Sequence, residues 1–140
     1  MTITPGNAPC FLDAEACIAM LKGKAGIKKV LEKITNPLAT TTPALFEVHC
    51  GIQYYKKKGL MDKEARSLAL LDKLLIFNLD SNAAKIAGEI WADLKLNGKM
   101  IKIIDVLIGA IMLSHGYHQI ISNDDHFSII DGIVRIGYII

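Results

Sequence analysis

No apolar run in the 140-residue sequence approaches the roughly 20 residues that a membrane-spanning helix needs, and Asp105 and Gly109 interrupt the best candidate. The opening stretch, MTITPGNAPC, has neither a basic start nor an apolar signal core, so secretion is not expected. Cys10, Cys17 and Cys50 are odd in number and lack CxxC spacing, which points away from both a disulfide framework and a zinc site. A reducing cytoplasm is the expected compartment. Neither Gly-x-Gly-x-x-Gly nor GxxxxGK[ST] occurs, so nucleotide-cofactor chemistry loses its usual signature. The net charge of +2 neither demands nor excludes nucleic acid.

What the chain does have is grease. Half of it is apolar, 51%, and mean hydropathy is +0.34. A parallel sheet covered on both faces would use such residues, and so would a surface set aside for a partner. Both are expected, the second as a homodimer. The length suits one domain, residues 1–140, with a proper core.

Residues 101–127 organise the rest. Ile104 to Ser114 is apolar almost all the way round apart from Asp105, the pattern of a buried helix. His115-Gly116 suits its C-terminal cap, and Gln119 to Ile121 then forms a short strand running into Ser122-Asn123-Asp124-Asp125. Upstream, Ala8 to Leu12 reads as a buried strand ending at Asp13. Helices are expected over 14–22, with Ile18 and Leu21 inward, and over Gly26 to Ile34, with a basic face. Leu38 to Thr42 is β-prone, and Pro43 fits the first turn of a helix from Ala44 to Lys58. Leu45, Val48, Ile52 and Tyr55 share one face of that helix. Lys63 to Lys73 reads as an amphipathic helix and Leu74 to Leu79 as a strand. Asp80 or Ser81 can cap the next helix, where Ile86, Ile90 and Leu94 recur, Trp91 joins the core and Asn97-Gly98 stops the run. Ile133 to Ile140 closes the chain as a strand at an edge. Strands alternating with helices make an α/β fold with a doubly wound parallel sheet.

On that scaffold four acids fall on one side. Asp13 follows the first strand, Glu47 lies one turn into the helix after the second, Asp105 heads the buried helix and Asp124 follows the fourth strand. Ligands of open α/β sheets bind at the carboxyl ends of the strands. Crowded carboxylates raise one another's pKa, and a divalent cation removes that penalty; all-oxygen ligands suit Mg²⁺ or Mn²⁺. Such an ion can activate water, orient a phosphodiester and steady a leaving oxygen. Each acid alone also has an ordinary use: Asp13 and Asp105 as helix N-caps, Glu47 as a solvated first-turn residue, Asp124 and Asp125 as a turn.

FLDAEACIAMLKG, TTPALFEVHCGI and GKMIKIIDVLIGAIMLSHGYHQIISNDDHFSII, in that order, resemble the motifs of PIN-domain proteins, and among those the VapC-like toxin ribonucleases. The resemblance covers nearly the whole chain. It implies a three-layer α/β/α sandwich around a parallel sheet of about five strands, and an endoribonuclease acting on single-stranded RNA with Mg²⁺ or Mn²⁺. It also implies a cognate antitoxin. Asp13, Glu47, Asp105 and Asp124 would be the metal-binding acids, and Ser122 the hydroxyl that supports them. Two positions depart from the motifs. Glu15 stands where they carry asparagine; an ionised carboxylate only accepts hydrogen bonds, so Glu15 either joins the metal shell or loosens it. Ile103 stands where many such proteins place a further acid. A catalytically weak PIN fold acting as an RNA- or protein-binding module is therefore the rival expectation, with a small-molecule phosphatase further off. Among the four histidines, loop and surface placement accounts for most, and His126, directly after the acids, is the best candidate for chemistry.

Overall fold

The computed structural model describes residues 7–60 and 68–140. Five short strands form one sheet: β1 (Cys10–Leu12), β2 (Leu38–Thr41), β3 (Leu75–Phe77), β4 (Gln119–Ile121) and β5 (Val134–Ile136). Their order is β3-β2-β1-β4-β5, and every neighbouring pair runs parallel. Helices flank the sheet: α1 (Ala14–Leu21), α2 (Ala25–Lys33), α3 (Thr42–Lys57), α4 (Ser81–Leu96) and α5 (Ile103–Ser114). The expected α/β class with five parallel strands is thus what the chain forms.

The centre of the sheet is buried on both faces. Phe11, Leu12, Ala39, Ile120 and Ile121 are wholly inaccessible. Parallel strands need crossover connections, and helices laid over both faces leave no polar side for alternation to show. Local chemistry sets the helix starts. Asp13, Thr41 and Asp80 each accept a hydrogen bond from the backbone N–H three residues on, and Pro43 occupies the first turn of α3. Gly98, at φ +67°, ends α4 in a conformation that side chains resist. The greasy α5 packs chiefly on α4 and buries Val106, Ile108, Ile111 and Met112.

Several elements differ from their expected bounds. The first strand starts at Cys10, and β3 and β5 are three residues each. Leu75 and Ile76 are about half exposed, since β3 is a sheet edge. The last strand leaves the sheet after Ile136. Tyr138 then donates its N–H to Asn123 Oδ1 at 2.8 Å, which draws the tail away from ladder pairing. Residues 63–67 of the expected 63–73 helix lie outside the described residues, and Leu68–Lys73 is a 3₁₀ helix. Tyr55 is exposed rather than inward, pairing edge-on with Tyr54. Trp91 is also on the surface, with Lys95 Nζ 4.8 Å from its ring; a long cationic stem covers it in place of core.

The tail's course depends on one small residue. A Cβ on Gly26 would run into the backbone carbonyl of Ile139. In an unobstructed helix Gly→Ala gains about 0.5–1 kcal/mol. Here Gly26→Ala is expected to free residues 137–140 instead, seen as faster carboxypeptidase trimming with no rise in thermal stability. A variant stabilised by that amount with its tail still protected would show the contact to be wrong.

Candidate active site

The strand order reverses direction at β1, with β2 on one side and β4 on the other, and the acids gather at the carboxyl ends of β1 and β4. Asp13 leaves β1 as the N-cap of α1 and is almost fully buried; its Oδ1 accepts from Ala16 N at 2.8 Å. Its other oxygen accepts from the Ser122 hydroxyl at the end of β4. Ser122 Oγ in turn accepts from Asp124 N at 2.9 Å. One buried hydroxyl therefore ties the first strand's acid to the fourth strand's loop, across 109 residues of chain.

Asp105 lies in the first turn of α5, where the cap position belongs to Lys102, which makes no side-chain cap bond. It is therefore not the N-cap that sequence alone allowed. Its side chain points to the 3₁₀ turn after β4 (Asp125–Ile129), whose cap is Asp124. There His126 Nδ1 lies 3.0 Å from Asp105 Oδ2 and 3.3 Å from Asp124 Oδ1. Asp124 Oδ1 also accepts from His126 N at 2.9 Å. Single donor atoms of Asp105, Asp124 and His126 all fall within 4.8 Å of one another.

Burial and mutual repulsion dominate the electrostatics of these acids. Burial pushes Asp13 up to about 6, and the charges of Glu15 and Asp124 add to that; the bonds from Ser122 and Ala16 pull the other way. Asp105 is likewise raised to about 6, first by burial; the hydrogen bond to His126 opposes this and the Asp124 charge reinforces it. Glu47, half-buried on α3, is raised by burial, lowered by Lys102 and raised again by Glu15 and Asp124. Asp124 thus acts on all three other acids.

Stability should carry this signature. A carboxyl raised from 3.8 to about 6 binds a proton in the folded chain that it has lost in the unfolded one. The sign is therefore opposite to that of an ion-paired acid. The stability each group contributes is fully present below about pH 4 and is lost as pH rises through 6, roughly 1–3 kcal/mol per group. Urea unfolding between pH 4 and 8 in chelator, compared with Asp13→Asn, checks it: the substitution should flatten that loss. An unchanged profile would mean that Asp13 carries no such strain.

Of the residues singled out from sequence, Asp105 and Asp124 meet directly, and Asp13 joins them through Ser122. Glu47 is outside the 4.8 Å group and reaches the others through charge. Glu15 is exposed in the first turn of α1, and Ile103 is 53% exposed at the head of α5, adding no ligand. Two contributors, Arg135 and Tyr138, escaped a reading by acids, beside His126, which its place after the acids marks. His126 is placed by Phe127, which is fully buried and fixes the turn. Arg135 on β5 donates from Nη1 to the Ser122 carbonyl at 3.1 Å and from Nε to Ser128 Oγ at 3.3 Å, and its Nη2 lies 3.3 Å from Asp125. It braces the whole 122–128 loop. Tyr138 lies near Asp13 and Glu15, whose charges add to burial in raising its hydroxyl to about 12. With Glu15, Asn123, Lys22 and Lys24 it lines a cavity of about 200 Å³ beside the acids. No local pattern marks a cross-sheet arginine or a tail tyrosine, though the His-Phe pair after the acids was visible.

A PIN domain family profile matches residues 10–133. The chain belongs to the PIN domain family. Over 71 residues it is 34% identical to Ribonuclease VapC3 of Methanocaldococcus jannaschii, a match spanning 51% of this chain and 65% of that protein. The match thus spans less than two thirds of that relative's length. Solved structures share the fold over most of the chain. One is VapBC2 from Rickettsia felis bound to a promoter DNA fragment, with TM-score 0.80 at 21% identity over 94% of this chain and 99% of that one. Another is VapBC-5 from Mycobacterium tuberculosis, with TM-score 0.68 at 25% identity over 93% and 98%. The switch-point acids of this chain therefore sit on a PIN fold. No helix among the described residues is long and apolar enough to cross a membrane.

Proposed function

We propose that this chain is a metal-dependent endoribonuclease cutting single-stranded RNA, and the toxin of a toxin–antitoxin pair. The observation that carries the reading is the convergence of Asp105, Asp124 and, through Ser122, Asp13 at the sheet's switch point. Asp13, Glu47, Asp105 and Asp124 would hold Mg²⁺ or Mn²⁺. The donor set fits such an ion: oxygens of Asp105 and Asp124 and the His126 nitrogen lie within 4.8 Å of one another, and burial raises Asp13 and Asp105 to about 6. A bound divalent ion would supply charge neutralisation and Lewis acidity toward a phosphodiester.

The chain's own part is positioning. Ser122 locks the Asp13 carboxylate, α1 fixes its other oxygen, and Arg135 holds the loop that presents Asp124. Water would add to phosphorus opposite the 3′-oxygen as the P–O3′ bond breaks, its proton ending on that oxygen, so 5′-phosphate and 3′-hydroxyl ends are the expected products. Exposed Phe46, Tyr54, Leu60 and Leu96 leave apolar surface for a homodimer and an antitoxin segment, and the likeness to VapBC complexes supports that pairing. A cytoplasmic site of action follows from the same pairing. The rival reading, a weakly catalytic binding module, draws on exposed Glu15 and on apolar Ile103 at the head of α5.

End-labelled RNA incubated with the pure protein decides between them. Cleavage in Mn²⁺ that stops with chelator supports the nuclease. RNA that binds but is never cut supports the module, and cleavage that survives chelator contradicts metal dependence.

A further inference from the structure

His126 has a geometry that a four-acid site does not account for. Its Nδ1 lies 3.0 Å from one carboxylate oxygen of Asp105 and 3.3 Å from one of Asp124. Ligand atoms at right angles on an octahedral ion with bonds of about 2.1 Å are separated by about 3.0 Å. The two nitrogen–oxygen separations match that edge as well as a hydrogen bond, so with Nδ1 deprotonated an ion there would take the nitrogen and the two oxygens as neighbouring ligands without moving the ring. The ring is held there. Its backbone N–H is bonded to Asp124, and the next residue, Phe127, is fixed in the core.

We propose that His126 is a metal ligand of this chain, binding through Nδ1 beside Asp105 and Asp124, and that it turns the site from Mg²⁺ toward Mn²⁺ and later first-row divalent ions. The inference rests on the metal-dependent reading above and deepens it by naming the ion class. Mg²⁺ keeps oxygen ligands and sheds water reluctantly, whereas imidazole suits the first-row transition ions. Adding one nitrogen to hard carboxylates costs Mg²⁺ a preferred ligand and gives the others a better one. Glu15 and Ile103 agree with this arrangement. Neither supplies a buried acid, so the ligand count is made up by the histidine.

The test uses the full chain and Mn²⁺ alone, with no RNA. Pulsed electron paramagnetic resonance of bound Mn²⁺ should show a directly coordinated nitrogen. That signal should vanish in His126→Ala and persist in His118→Ala. Mn²⁺ affinity should fall by about 10-fold or more in His126→Ala, and Mg²⁺ affinity by less. His126→Asn, whose Oδ1 sits at the Nδ1 position, should bind Mn²⁺ without the nitrogen signal; it carries the test if the alanine variant fails to fold. Mn²⁺ bound with no nitrogen signal, or a signal that survives in His126→Ala, overturns the assignment and leaves the metal-dependent reading intact. Wild-type protein that binds no Mn²⁺ overturns both.

Discussion

Asp105→Asn is expected to reduce RNA cleavage by about 10³-fold while making the fold more stable at neutral pH. The loss follows from the carboxylate's place within 4.8 Å of Asp124 and His126. Removing one charged ligand weakens the cation and the charge stabilisation it gives, worth several kcal/mol, and about 4 kcal/mol is a thousandfold in rate. The gain follows from the same burial. Asp105 is 5% exposed and raised to about 6, so at pH 7 its ionised form strains the fold. An amide keeps the shape and can still accept from the ring of His126, yet carries no charge. Chemical denaturation at pH 7 in chelator should show about 1–3 kcal/mol of stabilisation, shrinking toward zero at pH 4. Kinetics and unfolding on one preparation separate the two effects. An inactive but destabilised variant would mean that Asp105 is a structural acid, and an active one would remove it from the site.

Phe127→Ala should carry the largest stability loss near the site, about 3–5 kcal/mol. Phe127 is completely inaccessible and sits in the 3₁₀ turn directly after His126. Its ring anchors the turn to the core, where the body of α5 also lies. Truncation leaves a cavity and lets Asp124 and His126 drift relative to Asp105. Activity should therefore fall even at temperatures where the variant stays folded. Phe127→Leu, with less volume lost, should recover most of the stability. If the alanine variant lost under 1 kcal/mol, the turn would be held by Arg135 and the backbone alone.

The sequence was most legible where period and punctuation agree. Alternating strands and helices implied a parallel sheet, and it formed with five strands. Asp13 could be placed because it directly follows a strand, Asp124 because it lies in the loop just after one, and Asp80 because caps act within three residues. What stayed hidden depended on contacts far along the chain. The tail of β5 is captured by Asn123, and Trp91 is shielded by Lys95 on the surface; neither shows in a hydropathy pattern. Arg135 reads as an ordinary strand cation until the fold lays it under the Ser122 carbonyl. His126 is visible in sequence as a neighbour of the acids, but its ring direction depends on Asp105, 21 residues away, which lies 3.0 Å from its Nδ1.

Crystals soaked in Mn²⁺ and measured at an energy where manganese scatters anomalously test the central claim most directly. The expected result is one strong anomalous peak among the side-chain oxygens of Asp105 and Asp124, on the Ser122 side of α5. A saturating soak with no peak there, or with manganese only on exposed acids such as Asp125, would contradict it.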